Sequence, residues 1–296
     1  MIADNLIFII STTMYSKAFK ICGLTIQFES DEPVTDIKEY SLFRVNNIKM
    51  PDIRVRVLRE PLPKAPCDLV CSEDRRRRIV LNHIKHDYTF LPDPVIKEYV
   101  PYACAVHGKG SVDLFLDYKG ALWDTMLFDA LNFTDLFFEY GIGILHASFI
   151  CINKKAVLFA GPKQIGKSTQ ADLWMKYKNA SIINGDRAGI RIDRNGLTAF
   201  GLPFCGTSGI CRNEQYPVTA IVFPQKSSIN TLTRLSEVES FMQLIGCLSF
   251  MYSDMDAQNT ALNFADQMAT KCLCLRLDCR PDVQAVNLLS KELGLN

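Results

Sequence analysis

One run, Gly161-Pro162-Lys163-Gln164-Ile165-Gly166-Lys167-Ser168, constrains the fold of this chain more than any other feature. It satisfies the pattern G-x-x-x-x-G-K-[ST]. Residues 156–160 ahead of it read as a short buried strand. Residues 168–178 after it read as a helix, with Leu173, Trp174 and Tyr177 spaced for one apolar face. In a strand, glycine loop and helix, backbone N–H groups wrap a phosphate and the helix N-terminus adds its positive end. There Lys167 would reach the outer phosphates of a nucleotide, and the Ser168 hydroxyl would hold Mg²⁺. Gly161, Lys163, Gln164, Ile165, Gly166 and Thr169 would complete the binding loop. A glycine turn between a strand and a helix is the plain alternative, but it needs neither the Lys-Ser ending nor both flanks.

Composition sets the outer bounds. With 48% hydrophobic and 22% charged residues over 296 positions, a soluble globular protein of one large or two small domains is expected. A formal net charge of +1 gives no bulk electrostatic case for nucleic acid or an anionic membrane as partner. The apolar run at 6–10 is too short to span a bilayer and follows Asp4, without the basic start of a signal peptide. A strand, or an extension ahead of Met14, is the expectation there. Eleven cysteines are scattered singly, often in apolar runs, as at Cys104, Cys151 and Cys247. Cys67 and Cys71 lack a second ligand pair at zinc-site spacing. Reduced, buried thiols in a cytoplasmic protein fit this usage.

Residues 1–118 are expected to form a β-rich front domain. Segments 24–28, 53–57, 78–81 and 112–116 alternate apolar and polar residues. Prolines between them, including Pro92, Pro94 and Pro101, mark loops or edges. Free sheet edges there would suit an extended peptide. The basic run Arg75–Arg78 is either a solvated strand entry beside Glu73 and Asp74 or a contact for phosphate or an acidic peptide. Residues 121–140 predict one buried helix. Residues 119–296 would then be the nucleotide-binding domain. Its expected parts are a strand over 144–152 turning into the phosphate-loop strand, a strand at 181–186, a hairpin around 193–196 and a glycine-rich loop at 201–213. A strand at 218–223 follows, then a capping box at Ser236 and Glu239 before an apolar helix, a helix at 257–269, a strand at 272–277 and a last helix at 281–293.

Two further residues belong with the loop. Asp186 closes the strand after the loop's helix. In a parallel α/β sheet its carboxylate would lie beside the phosphates, able to hold Mg²⁺ or accept a proton from an attacking hydroxyl. An acidic turn residue after Gly185 would read the same way. His146 lies one strand upstream, as a core histidine or a member of the site.

Leu145-His146, then 161–169, then Ile183-Asn184-Gly185-Asp186-Arg187 follow one another as in the HPr kinase/phosphorylase family, which this chain resembles over its C-terminal half. The phosphoenolpyruvate carboxykinases are more distant relatives. Stretch 144–223 looks closest to kinase-like relatives that carry Gly-x-Pro-[Trp/Phe]-Cys-Gly, here Gly201 to Gly206, and that resemble peptide-modifying kinases. The resemblance implies an α/β fold with a C-terminal P-loop kinase domain, ATP and Mg²⁺ as cofactors, and a protein or peptide hydroxyl as acceptor. It implies Asp186 as base, His146 as its partner, Arg187 and Arg191 as cations for the transferring phosphate, and assembly into a homo-oligomer. The chain departs from the family twice: Gly185 stands where the first of two adjacent acids is usual, and Lys163 and Gln164 where Ser and Gly are preferred. A nucleotide-binding module without transfer and a small-molecule kinase remain as alternatives.

Overall fold

A computed structural model describes residues 14–46, 48–72, 75–194 and 196–295. The expectation for the run at 6–10, and the place of Glu73 and Asp74 beside the basic run, lie outside the described residues. The architecture is mixed α/β, built on two large sheets.

The front sheet has eight strands, in the order Arg44–Val45, Tyr15–Ile21, Leu24–Ser30, Ile53–Leu58, Ser111–Leu116, Tyr99–Gly108, Ile84–Pro92, Arg76–Leu81. The strand Ile53–Leu58 runs parallel to both its neighbours, and the other pairs are antiparallel. Two-residue periodicity decides what is buried: Leu24–Ser30 alternates fully and half-buried residues from end to end. Pro101 sits inside Tyr99–Gly108, not in a loop or at an edge. It faces Phe90 where the register slips between Thr89 and Phe90, and such a bulge accommodates a residue without an N–H.

The helix expected over 121–140 forms as two, Asp124–Ala130 and Phe133–Phe138. Asn132 between them takes a left-handed backbone (φ 50°, ψ 50°), which Asn tolerates better than most residues. Its Nδ2 donates to Asp87 Oδ2 at 3.1 Å, so the break is tied to the front sheet. Leu127, Phe128, Leu136 and Phe137 pack on the sheet's Phe19, Phe28 and Val55, and the same apolar cluster continues to Ile142, Ile144, Phe200 and Leu202.

The second sheet is mixed, not parallel, and the strand Ile142–Ile152 organises it. Its first half pairs with Arg187–Asp193. Its second half pairs with Lys155–Ala160 along one edge and Ser181–Asn184 along the other, both antiparallel. Lys155–Ala160 is parallel to Gln215–Lys226, which is parallel to Cys274–Cys279. One face carries the helices Lys167–Lys178 and Val283–Leu293 through Ala171, Trp174, Val286 and Leu289. The other carries Glu237–Ile245 and Met255–Lys271 through Leu244, Phe264 and Met268. The capping box forms: Ser236 accepts from the Glu239 N–H while the Glu239 carboxylate accepts from the Ser236 N–H. In Lys167–Lys178 the buried stripe is Lys167, Gln170, Ala171 and Trp174, and Tyr177 is turned outward. Among the described residues no helix is long and apolar enough to cross a membrane. All eleven cysteines are free thiols.

Candidate functional site

Because Lys155–Ala160 and Ser181–Asn184 both run antiparallel to the strand between them, they point the same way. Their carboxyl ends, Ala160 and Asn184, therefore leave the sheet at one end. The glycine loop starts from the first and Asp186 follows the second. The sequence reading placed Asp186 there through a parallel sheet; the shared neighbour Ile142–Ile152 achieves it instead, and also carries His146.

The course of the loop is set by backbone geometry. Gly161 (φ 140°) and Gly166 (φ 117°) occupy conformations that L side chains rarely adopt, and Gln164 is left-handed at φ 66°. Gly166 is the N-cap of Lys167–Lys178, so the first N–H groups of that helix face the loop. Lys167 is buried. Its Nζ donates to Gly161 O at 2.8 Å and Pro162 O at 2.9 Å, closing the loop on itself. Burial holds its ammonium below the usual lysine range, while Cys247 and Asp186 oppose the shift. Lys163, Gln164, Ser168 and Thr169 are exposed, and Ile165 and Gly166 are half-buried.

Beside the loop stands a three-residue cluster. His146 Nε2 lies 3.5 Å from Asp186 Oδ1, and Arg187 Nε lies 3.4 Å from Asp186 Oδ2. All three side chains are about one-third exposed, at 40%, 30% and 38% for His146, Asp186 and Arg187. The Asp186 and Arg187 N–H groups both donate to Asn184 Oδ1 at 2.9 Å, and Asn184 Nδ2 donates to Leu202 O and Phe204 O. Asn184 thus fixes the turn that aims the carboxylate, a role sequence reading missed; its place just before Gly-Asp was the only signal. Burial and then the Lys167 cation depress the His146 imidazole below 6.5, against the pull of Asp186. With its side chain 40% exposed and 3.5 Å from Asp186, His146 is not a core histidine.

The glycine-rich loop comes down on this cluster. Gly206 abuts Asp186, where a Cβ would meet the carboxylate carbon at 2.8 Å. A Cβ on Gly185 would collide with the Ser208 side chain, so Ser208 fills the place of a larger residue at 185. Ser208 is pinned there by donating to Cys205 O at 2.6 Å. Arg212 pairs with Glu214 at 3.8 Å. Arg191 is elsewhere: its guanidinium donates to Cys22 O and stacks on Phe200, so it ties the two sheets together and is not beside the phosphate loop.

Cys247 was not singled out for the site, yet it joins two of its parts. Its carbonyl accepts from the His146 N–H at 2.8 Å. Burial pushes its thiol up to about 11, opposed by Lys167 and by the Gly161 backbone. Cys247 also lines a cleft of about 340 Å³, walled by His146, Arg187, Phe133, Phe250, Tyr252 and Arg76. Among the described residues no three His, Cys, Asp or Glu side chains converge as a metal cage. One hydroxyl and one carboxylate, Ser168 and Asp186, suit Mg²⁺ held mainly by phosphate oxygens and water.

No family model matches the chain, and no curated protein matches it. Among solved structures, the HPr(Ser) kinase/phosphatase from Coxiella burnetii is similar over 50% of this chain and 95% of its own length. The identity is 13% and the TM-score 0.29.

Proposed function

We propose that this chain transfers the γ-phosphate of ATP to a hydroxyl, that of a Ser or Thr in a protein or peptide. One observation carries the reading: a glycine loop with its lysine, and a carboxylate–imidazole–guanidinium cluster, leave one sheet at the same end, and His146 and Arg187 of that cluster line a cleft. The loop N–H groups bind the phosphates. Lys167 exchanges its two loop carbonyls for phosphate oxygens. Ser168 and Asp186 hold Mg²⁺, which when bound neutralises charge on those oxygens. Asp186 takes the proton of the attacking hydroxyl, His146 orients it as a neutral imidazole, and Arg187 balances charge on the moving phosphoryl group. An already nucleophilic imidazole or carboxylate acceptor would not need such a base.

The test is incubation with radiolabelled ATP and Ser- or Thr-containing peptides, followed by hot acid and hot alkali. A product stable to acid and lost in alkali is expected. An acid-labile product, or label found only on a free metabolite, would overturn the reading. A second reading, nucleotide binding without transfer, is favoured by Gly185: Ser208 occupies the space a second carboxylate would need. ATP bound tightly and never turned over would select it.

A further inference from the structure

Among the described residues the strand Arg76–Leu81 is the last of the front sheet and pairs on one side only, with Ile84–Pro92. Its parity is fixed at both ends. The two-residue turn Asn82-His83, both with positive φ, makes Leu81 and Ile84 a hydrogen-bonded pair, and Arg75 O accepts from Phe90 N. Residues 75, 77, 79 and 81 therefore turn their N–H and C=O groups inward, and 76, 78 and 80 turn theirs outward. Arg76 agrees: its outward N–H donates to Ser72 Oγ. Among the described residues no backbone group meets the outward N–H and C=O of Arg78 and Val80. Arg78 is half-buried as a residue although its side chain is only 6% exposed, so part of its exposed surface is backbone. Val80 is 55% exposed.

This open edge leads to the site. Arg76, the first residue of the strand, is also a wall of the cleft that holds His146 and Arg187. The sheet's other edge is the two-residue strand Arg44–Val45, which lines no part of that cleft. We propose that the acceptor is an extended peptide that adds as a strand to Arg76–Leu81, through the outward groups of Arg78 and Val80. Beyond Arg76 it leaves the edge and enters the cleft along Phe250 and Tyr252, whose rings stand 4.4 Å apart with Tyr252 61% exposed. Backbone pairing supplies affinity without sequence, and the aromatic pair selects the residue beside the acceptor hydroxyl. The proposal rests on the peptide-kinase reading above but is tested separately from it.

The probe is a displayed library of random 15-residue peptides, selected on the full chain with a non-hydrolysable ATP analogue. Selected peptides should protect the Arg78 and Val80 amides from hydrogen exchange in the unaltered protein. Val80→Pro removes one outward N–H and no ladder bond. It should weaken those peptides about tenfold, the loss of roughly one hydrogen bond, while Val80→Thr leaves them unchanged. Tyr252→Ala should weaken them several-fold and leave ATP binding intact. Failure to select any peptide, or peptides that leave both amides exchanging freely, would overturn the proposal. Peptides that bind the edge and are never phosphorylated would instead sink the kinase reading and leave the docking edge standing.

Discussion

Arg78 in the front sheet and Arg187 beside the phosphate loop both pair with an aspartate, but their surroundings differ. Arg78 donates to both oxygens of Asp87 at 2.7 Å and lies within 3.4 Å of Asp135 and Asp254, with its side chain 6% exposed. His107 and Asn132 complete the shell around Asp87. Burial pushes Asp87 up, yet its hydrogen bonds to Arg78 and His107 hold it well below the usual carboxylate range. Arg187 has one carboxylate oxygen at 3.4 Å and is 38% exposed. A charge whose partners are saturated inside the fold belongs to stability. A charge left half-open in a cleft is available to a ligand. The basic run of the sequence was therefore misleading at Arg78, which is neither solvated nor free for phosphate.

The contrast can be broken most severely at the loop. Lys167→Ala removes two charge-assisted contacts of about 1.5–3 kcal/mol each, a loss of about 10²–10⁴ in Mg-ATP affinity with the fold intact. Calorimetric titration of both proteins checks it; equal affinities would remove the loop assignment. In the front sheet, Arg78→Ala strands Asp87 in the interior and should cost about 3–5 kcal/mol in urea unfolding. Arg187→Ala should instead shift stability by no more than about 0.5 kcal/mol. If the two variants unfold alike, the division between saturated and open arginines is wrong.

Asp186→Asn keeps shape but cannot take a proton. Turnover should fall by about 10²–10⁴ while ATP affinity changes less. Wild-type turnover would place the base elsewhere. The smallest effect sharpens the electrostatics. In metal-free protein the His146 ring should titrate below 6.5 by NMR, because burial and Lys167 disfavour the imidazolium. Lys167→Ala should raise that midpoint, and Asp186→Asn should lower it further. With the folded value depressed, protons favour the unfolded chain, so the contribution of His146 to stability is full above 6.5 and is lost as pH falls through the folded midpoint. A midpoint unmoved by both substitutions would separate His146 from the cluster.

The sequence made the local chemistry legible where few residues decide it. The phosphate loop, the front strands of two-residue period and the capping box at Ser236 all depend on neighbours in the chain. What it did not reveal depends on distant contacts. Asn132 splits a helix because Asp87, far away in sequence, accepts from it. Pro101 enters an inner strand because Phe90 faces it across a bulge. Tyr177 has the right spacing for burial, but the stripe is set by Gln170 and Trp174. At the site, His146, Asp186 and Arg187 were named from the chain and do meet. Asn184, Ser208 and Cys247 act through contacts across loops that periodicity does not register, and Arg191 was drawn away by Cys22 and Phe200.

On the kinase reading proposed above, the lysine folded onto Gly161 O and Pro162 O would make nucleotide recognition an exchange reaction, not an addition. An arriving ligand releases the ammonium only by offering oxygens at least as good as the two carbonyls it replaces. Adenosine brings none, so its entry leaves the loop clasped. A diphosphate or triphosphate brings anionic oxygens, which outcompete neutral carbonyls as acceptors. On that reading the clasp would respond to the presence of phosphate and not to the base.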